Sequence, residues 1–294
     1  MSIFSLGSEP SPSEQYQERI EDGVVIPRLK VLPVAHGYVV RWYVTNPLML
    51  ANAQLKLERY LHSQDNKIEE WDVTGTSYKL VDVIQRYPYK QYGQWFRLVI
   101  TKNGITKATE FVPAIDSDDK TYETLVKLIN QFVKGRSATV AFVYKLKYGG
   151  ELCDTCFNPT LLKPSDPFCP VCLGTGYKGG FNEPVKTKVI IVSAPQRAVV
   201  RKVYLDTPSN WVIRAPVEIP LSVNDVLYLP HGQAWLTVSH VVEQRYGAVP
   251  VAQIASLTQE DEDSVYARYL TVPDYEPSEK DISPNIVPRM PDEE

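Results

Sequence analysis

The chain has 294 residues, of which 44% are hydrophobic and 22% charged, and its formal net charge is −4. These proportions are typical of a folded protein of about two domains, and the small negative charge gives no basic field that would draw the chain to nucleic acid. No stretch approaches the roughly 18 consecutive apolar residues of a membrane helix, and the first residues do not resemble a signal peptide. We therefore expect no membrane partner and a reducing cytoplasm as the place of synthesis.

The N-terminal third is predicted to form a disordered arm followed by a β-sandwich. Residues 1–23 are rich in Ser, Pro and Glu, which is typical of a disordered arm. Residues 24–113 contain six short candidate strands, and Asn103-Gly104 between the last two is a type I′ hairpin signal. The candidate strands are Ile26–Val34, Gly37–Val44, Gln54–Leu61, Tyr78–Ile84, Gln94–Thr101 and Ile105–Val112.

This sandwich resembles a fibronectin type III domain, a member of the immunoglobulin-like folds. Trp42 lies where that family places the tryptophan of its second strand, and Tyr92–Val99 followed by Asn103-Gly104 is similar to its closing hairpin. The resemblance implies a module of a kind that presents binding surfaces and seldom carries out chemistry. The stretch 45–53 is not a normal tight connection between strands. Trp42, Trp71 and Trp95 are expected to pack in or beside the core.

The rest of the chain is predicted to be mainly β, with one bridging helix. Residues 114–150 indicate a bridge between domains, made of a helix behind Ser117 that ends by Gly135 and a strand over Thr139–Tyr148. Residues 183–272 predict a small β-barrel or sandwich, with Pro-His-Gly at 230–232 as a hairpin turn. Residues 273–294 form a proline-rich tail with a net charge of −5. The candidate strands of the C-terminal domain are Val185–Val192, Ala198–Leu205, Trp211–Ile219, Asp225–Leu229, Ala234–Glu243 and Val249–Leu257.

All four cysteines of the chain lie in the remaining segment, residues 151–182. They form two Cys-x2-Cys pairs separated by twelve residues, at positions Cys153, Cys156, Cys169 and Cys172. Thiolates in two such pairs match a tetrahedral Zn²⁺ cage, and a site with four protein ligands is closed to water and substrate. The pattern therefore predicts a structural zinc knuckle inserted between the β-domains. Two disulfides or a redox-active thiol pair are the alternatives.

No catalytic residue is predicted. The histidines at 36, 62, 231 and 240 are distant from the cysteines in sequence, and neither a nucleophile elbow nor a phosphate-binding loop is present. Gly174-Thr-Gly176-Tyr-Lys-Gly179 follows no strand, and Cys172 ties it to the metal knuckle, which excludes a dinucleotide site. We therefore expect a protein that is not an enzyme.

The cysteine segment resembles the zinc knuckles of tailed-bacteriophage virion proteins, in particular neck or head–tail connector proteins. The resemblance lies in Leu152-Cys-Asp-Thr-Cys-Phe-Asn-Pro and in Ser165-Asp-Pro-Phe-Cys-Pro-Val-Cys-Leu-Gly-Thr-Gly-Tyr-Lys-Gly-Gly-Phe181. It implies a ring or collar subunit that is assembled in the host cytoplasm and resides in the virion. The implied partners are further copies of the chain and other virion proteins, such as a portal or adaptor, a tail terminator or a sheath.

Three other functions remain open on the sequence alone. A tail or baseplate subunit is a close variant of the connector. A zinc ribbon can also bind nucleic acid, but residues 151–182 have three carboxylates against two lysines, so direct binding is not expected. A thiol oxidoreductase would use the cysteines without a metal.

Overall fold

The computed structural model describes residues 19–34, 37–61, 63–82, 93–114, 124, 127, 138–193, 198–200, 203–205, 211–246, 249–261 and 263–275. Within them the chain is mainly β, as predicted. Residues 1–18 of the expected arm, the predicted bridging helix apart from two positions, and residues 276–294 of the expected tail lie outside this description.

The strands before the cysteine segment are β1 Arg19–Glu21, β2 Val24–Ile26, β3 Arg28–Val34, β4 Gly37–Tyr43, β5 Gln54–Leu61, β6 Lys67–Asp72, β7 Tyr78–Asp82, β8 Gln94–Lys102, β9 Ile105–Ala108 and β10 Val112–Pro113. Residues 19–21, which the sequence analysis placed in the disordered arm, instead pair with β2 as a hairpin. Asp22 and Gly23, both with positive φ, supply its turn.

Strands β3 to β10 form two sheets around one core, here called the two-sheet unit. One sheet has the order β3-β4-β7; the other has the order β10-β8-β5-β6, with β9 also paired to β8. The predicted alternation of Leu55 and Leu57, and of Phe96, Leu98 and Ile100, is confirmed, because all five side chains are fully buried. Trp42 is buried among them and donates from Nε1 to the Thr76 carbonyl at 2.9 Å.

Two strands of this unit differ from the sequence-based expectation. β6 was not predicted because its residues, Lys-Ile-Glu-Glu-Trp-Asp, lie mostly exposed on a sheet edge, where burial imposes no apolar alternation. The strand predicted over 105–112 is divided into β9 and β10 on the same side of β8. Thr109 lies at this interruption, and its Oγ1 accepts the Leu98 N–H at 3.0 Å.

The later strands are β11 Ala138–Tyr144, β12 Phe157–Asn158, β13 Lys163–Pro164, β14 Val185–Ser193, β15 Ala198–Val200, β16 Val203–Leu205, β17 Trp211–Ala215, β18 Val226–Leu229, β19 Ala234–Tyr246 and β20 Val249–Gln259. Helix α1 spans Val265–Tyr269, and short 3₁₀ helices span Pro47–Leu50 and Pro230–Gly232. The segment Ala198–Leu205, predicted as one strand, is a separate hairpin of β15 and β16.

Six of these strands close an antiparallel barrel in the order β11-β14-β17-β20-β19-β18. Its interior is filled by small and branched side chains, including Ala141, Val189, Ile213, Leu236 and Ala255. β11 was assigned to an interdomain bridge, but it is part of the barrel wall and pairs with both β14 and β18. The residues that led to this assignment, Ala-Thr-Val-Ala-Phe-Val-Tyr, are all buried because both faces of β11 are covered.

Candidate metal centre

The cysteine segment, residues 151–182, lies within the connection between two adjacent antiparallel strands of the barrel. Val143 at the end of β11 is paired with Val185 at the start of β14. Beyond this pair the chain continues outward and back, with isolated antiparallel bridges between Leu146 and Phe181 and between Leu152 and Tyr177. The connection is therefore an extended hairpin whose outer end contains the cysteines.

Each cysteine pair closes the same kind of backbone turn. The Phe157 N–H donates to the Cys153 carbonyl at 3.1 Å, and the Leu173 N–H donates to the Cys169 carbonyl at 2.8 Å. Between the two turns, the short strands β12 and β13 pair with each other. The two Cys-x2-Cys turns, here called the first and second cysteine hooks, therefore have matching geometry, which brings their sulfurs to one point.

Glycines permit the second hook, as the sequence predicted. Gly174 and Gly176 have φ values of +76° and +88°, in the region that side chains rarely adopt. Gly174 is also confined by space, since a Cβ there would lie 2.5 Å from the Pro167 carbonyl oxygen. Either requirement alone would favour glycine, and at position 174 both apply.

The four sulfurs are close enough to bind one ion. All lie within 4.8 Å of one another, and the cysteines are buried. The Sγ atoms of Cys153 and Cys169 and those of Cys153 and Cys156 are 3.8 Å apart, and those of Cys156 and Cys172 are 3.2 Å apart. A tetrahedral ion with bonds of about 2.3 Å needs sulfurs about 3.8 Å apart, whereas a disulfide needs about 2.0 Å. The geometry fits a shared metal ion and leaves all four thiols free of disulfides.

The electrostatics of the cluster also favour a cation. Burial raises the pKa of the Cys153 thiol, but the backbone N–H groups of Cys156 and Thr155, together with the Cys156 and Cys169 thiols, more than offset it and lower that pKa to about 7. Burial raises the pKa of Cys156, and contacts with the Cys172 and Cys169 sulfurs raise it further. Burial also raises the pKa of Cys172. Because several thiolates in so small a buried volume repel one another, a bound dication is what would allow all four to ionise.

The cysteine segment packs on the two-sheet unit through the irregular stretch 45–53. Tyr177 is buried against Leu48 and Ala51, and its hydroxyl donates to the Pro47 carbonyl at 2.6 Å. The Asn52 N–H donates to the Gly150 carbonyl at 3.3 Å. Residues 45–53 do not form a tight turn because they contain the apolar 3₁₀ helix Pro47–Leu50, and the cysteine segment packs against this helix.

The same segment also packs on the barrel. Leu173 and Phe181 belong to a buried cluster on the outer face of β11, β18 and β19, together with Tyr144 and Trp235. The Phe181 ring meets Tyr266 of α1 edge to face, with centroids 5.8 Å apart. The cysteine cluster therefore lies in a segment that contacts both β-rich units.

The two-sheet unit and the barrel also touch each other directly. Arg41 of β4 donates to the Glu243 carboxylate of β19 at 3.0 Å, and Lys30 lies 3.8 Å from the same carboxylate. Burial raises the pKa of Glu243, but the charges of Lys30 and Arg41 and a hydrogen bond from Arg245 more than offset it, so its pKa lies below 4.5. A second set of contacts, independent of the cysteines, thus joins the two units.

Another feature missed from the sequence is a buried ion pair beneath the cysteine segment. Lys145, just after β11, contacts the Asp225 carboxylate and also donates to the Pro220 carbonyl at 2.6 Å. Asp225 further accepts the Leu146 N–H at 3.1 Å. The pair fixes the start of the extended hairpin, where it leaves β11, on the barrel loop before β18. Neither residue carries a sequence signal, since each looks like an ordinary charged residue.

The metal candidates within the described residues consist of the four cysteines alone, with no histidine or carboxylate. His231 lies in the Pro230–Gly232 turn, as expected, and His36 and His62 lie outside the described residues. No protein-family model matches the chain, and no curated protein is significantly similar to it in sequence. Among the residues that the structure describes, no helix has the length and apolar character needed to cross a lipid bilayer.

Proposed function

We propose that the four cysteines hold a structural Zn²⁺ ion. Four buried sulfurs with near-tetrahedral spacing suit zinc, and a site filled by protein ligands has no position for substrate. The ion's chemistry would be to neutralise the thiolates and cross-link the two hooks. Metal analysis of the freshly purified chain should give one zinc per chain; a metal-free chain, or cysteines joined in pairs, would contradict this assignment.

We also propose that the two-sheet unit is a fibronectin type III-like domain. Counting from β3 and taking the divided pair β9 and β10 together as the seventh strand, the first, second and fifth strands make one sheet, and the third, fourth, sixth and seventh make the other. This division between two sheets supports an immunoglobulin-like sandwich. The buried Trp42 on the second strand agrees with the same assignment.

We propose further that the protein is a non-enzymatic subunit of a tailed-bacteriophage virion, in the neck or head–tail connector ring. The observation that carries this proposal is the position of the cysteine segment, whose sequence resembles the knuckle of such proteins and whose contacts reach both β-rich units. A closed metal site in that position serves assembly better than catalysis. Its partners would be copies of itself and the portal, adaptor, terminator or sheath proteins beside it.

The test of this proposal is a quantitative mass-spectrometric inventory of purified virions. We expect the chain in intact particles at a fixed copy number that matches a ring, and in the neck fraction after heads and tails are separated. Its presence only in the baseplate fraction would move it to the other end of the tail. Its absence from washed particles would overturn the structural role.

A binding assay separates this role from that of a nucleic-acid-binding zinc ribbon. Electrostatic binding to phosphates is strongest at low salt. With three carboxylates against two lysines in the cysteine segment, we expect no retention of duplex or single-stranded DNA by the zinc-loaded chain at low salt. Tight, salt-sensitive retention that is lost with the zinc would favour the ribbon.

A further inference from the structure

A lysine and an aspartate are buried together at the place where β11 ends and β18 begins. The β11–β18 ladder runs to Tyr144 opposite Val226, so Lys145 and Asp225 occupy the next position along the same register. Their side chains are 4% and 0% exposed, and the Lys145 Nζ contacts the Asp225 Oδ2. Because both charges lose their hydration, a buried ion pair contributes little to stability by itself. Its complete burial therefore needs another explanation.

The groups around the pair match the hydrogen bonds of an amide. The Leu146 N–H donates to Asp225 Oδ1 at 3.1 Å, and the Lys145 Nζ donates to the Pro220 carbonyl at 2.6 Å. An amide between Nζ and the Asp225 Cγ would have one N–H and one carbonyl oxygen, and these two partners would satisfy both. The same bond would replace two buried charges with a neutral group, which is easier to bury.

Burial also favours the reactive form of the lysine. Burial lowers the pKa of Lys145, and the charge of Asp225 opposes this effect only in part. The Tyr78 ring of β7 covers the amine, with its centroid 5.8 Å from Nζ. A desolvated, neutral lysine is a nucleophile. Transfer of one proton from Nζ to Oδ2 gives a neutral amine beside a neutral carboxyl group, the two forms that condense to an amide.

Two neighbouring residues are placed to assist such a condensation. The Leu146 N–H points at Asp225 Oδ1, the atom on which negative charge develops when the carboxyl carbon is attacked. The Ser222 N–H donates to Asp225 Oδ2 at 2.6 Å, and the Ser222 Oγ lies 3.4 Å from the Lys145 Nζ. Ser222 therefore lies beside both the attacking nitrogen and the oxygen that would leave.

We propose that Lys145 and Asp225 become joined by an isopeptide bond in the folded chain. Nζ attacks the Asp225 Cγ, the Nζ–Cγ bond forms, and the Cγ–Oδ2 bond breaks. Oδ2 leaves as water with two protons from the ammonium group, and Nζ keeps the third, so the reaction needs no oxidant or other reactant. This modification goes beyond the proposed function and does not depend on it.

The bond would close a covalent loop in the chain. Its ends are 80 positions apart, and the loop contains the cysteine segment. A cross-link of this kind restricts the unfolded chain. The linked protein should therefore stay more compact than an unlinked variant after denaturation under reducing conditions, and should migrate faster in a denaturing gel.

Mass spectrometry of the purified full chain, denatured, reduced and free of metal, tests the proposal. We expect the intact mass of the wild type to be lower than the calculated mass by one water. Trypsin should not cleave after Lys145, and one branched peptide should contain both Lys145 and Asp225. Lys145→Arg should have its full calculated mass. Lys147→Arg is the matched control, because the Lys147 Nζ donates to the Lys178 carbonyl instead, and this variant should lose the water as the wild type does.

The wild type alone decides the result, so the proposal stays testable even if a variant fails to fold. A wild-type chain at its full calculated mass, with normal cleavage after Lys145, would overturn the proposal. A loss of water that the peptide map places at another residue, or that persists in Lys145→Arg, would also overturn it. Zinc content and the virion inventory are measured separately, and either can fail or succeed whether or not the bond is found.

Discussion

The Tyr177 hydroxyl donates a 2.6 Å hydrogen bond to the carbonyl of Pro47, 130 residues earlier in the chain. It links the second cysteine hook to the two-sheet unit. Burial raises the pKa of this hydroxyl well above its ordinary value of 10.0, so it remains a donor at any physiological pH.

Tyr177→Phe should weaken this link without disturbing the hooks. The change keeps the ring packed on Leu48 and leaves the Pro47 carbonyl without this donor. We expect a loss of about 1 kcal/mol in the free energy of unfolding, measured by denaturant titration, with zinc content unchanged. Tyr269→Phe, at an exposed position, is the matched control. Equal effects of the two variants would contradict the prediction.

A pair of glycine variants separates backbone strain from steric exclusion in the second hook. Gly174 and Gly104 have nearly equal φ values, +76° and +78°, but a Cβ at Gly104 would meet nothing within 4 Å. Gly104→Ala should therefore lower the free energy of unfolding only by the strain of a left-handed alanine, about 1–2 kcal/mol. The variant should keep its metal. Gly174→Ala should also displace the Pro167 carbonyl and weaken zinc retention against a competing chelator. Equal zinc retention in both variants would contradict this.

Acid should loosen the contact between the two-sheet unit and the barrel. The pKa of Glu243 in the folded chain lies below 4.5, so this carboxylate stabilises the fold above that pH and loses its contribution as pH falls through the folded value. Glu243→Gln should be less stable than the wild type at pH 7 and lose less stability on acidification. Glu183→Gln, at an exposed position, provides the control for denaturant titrations at both pH values. A wild-type pH profile in Glu243→Gln would exclude this mechanism.

Removal of the metal should loosen the contact between the cysteine segment and the two-sheet unit and leave the barrel intact. Hydrogen exchange with and without a strong chelator should show faster exchange in residues 147–182 and in the 3₁₀ helix Pro47–Leu50, because that helix packs on Tyr177. The barrel strands β17 and β20, which pair with each other and with β14 and β19, should keep their protection. Unchanged exchange at Pro47–Leu50, or loss of protection throughout the barrel, would contradict this division.

Strands and turns that depend on a local residue pattern could be predicted from the sequence, whereas packing contacts between residues far apart in the chain could not. The alternation in β5 and β8, the Asn103-Gly104 turn with both φ values positive, and the glycines of the second hook were all readable locally. The place of β11 in the barrel was not, because a strand that is buried on both faces does not specify its neighbours. The docking role of Leu48 and the Lys145–Asp225 pair depend on partners many residues away, which no local period reveals.

The pairing of Val143 with Val185 has a consequence for how this architecture can change. The six strands of the barrel already pair into a closed wall without the roughly forty residues between Val143 and Val185, so this segment is an insertion between two paired strands. A change in the length of this insertion does not shift the pairing register of the six barrel strands. Sequence changes that spare the buried contacts of Leu173, Tyr177 and Phe181 can therefore leave the pairing of the barrel strands as it is.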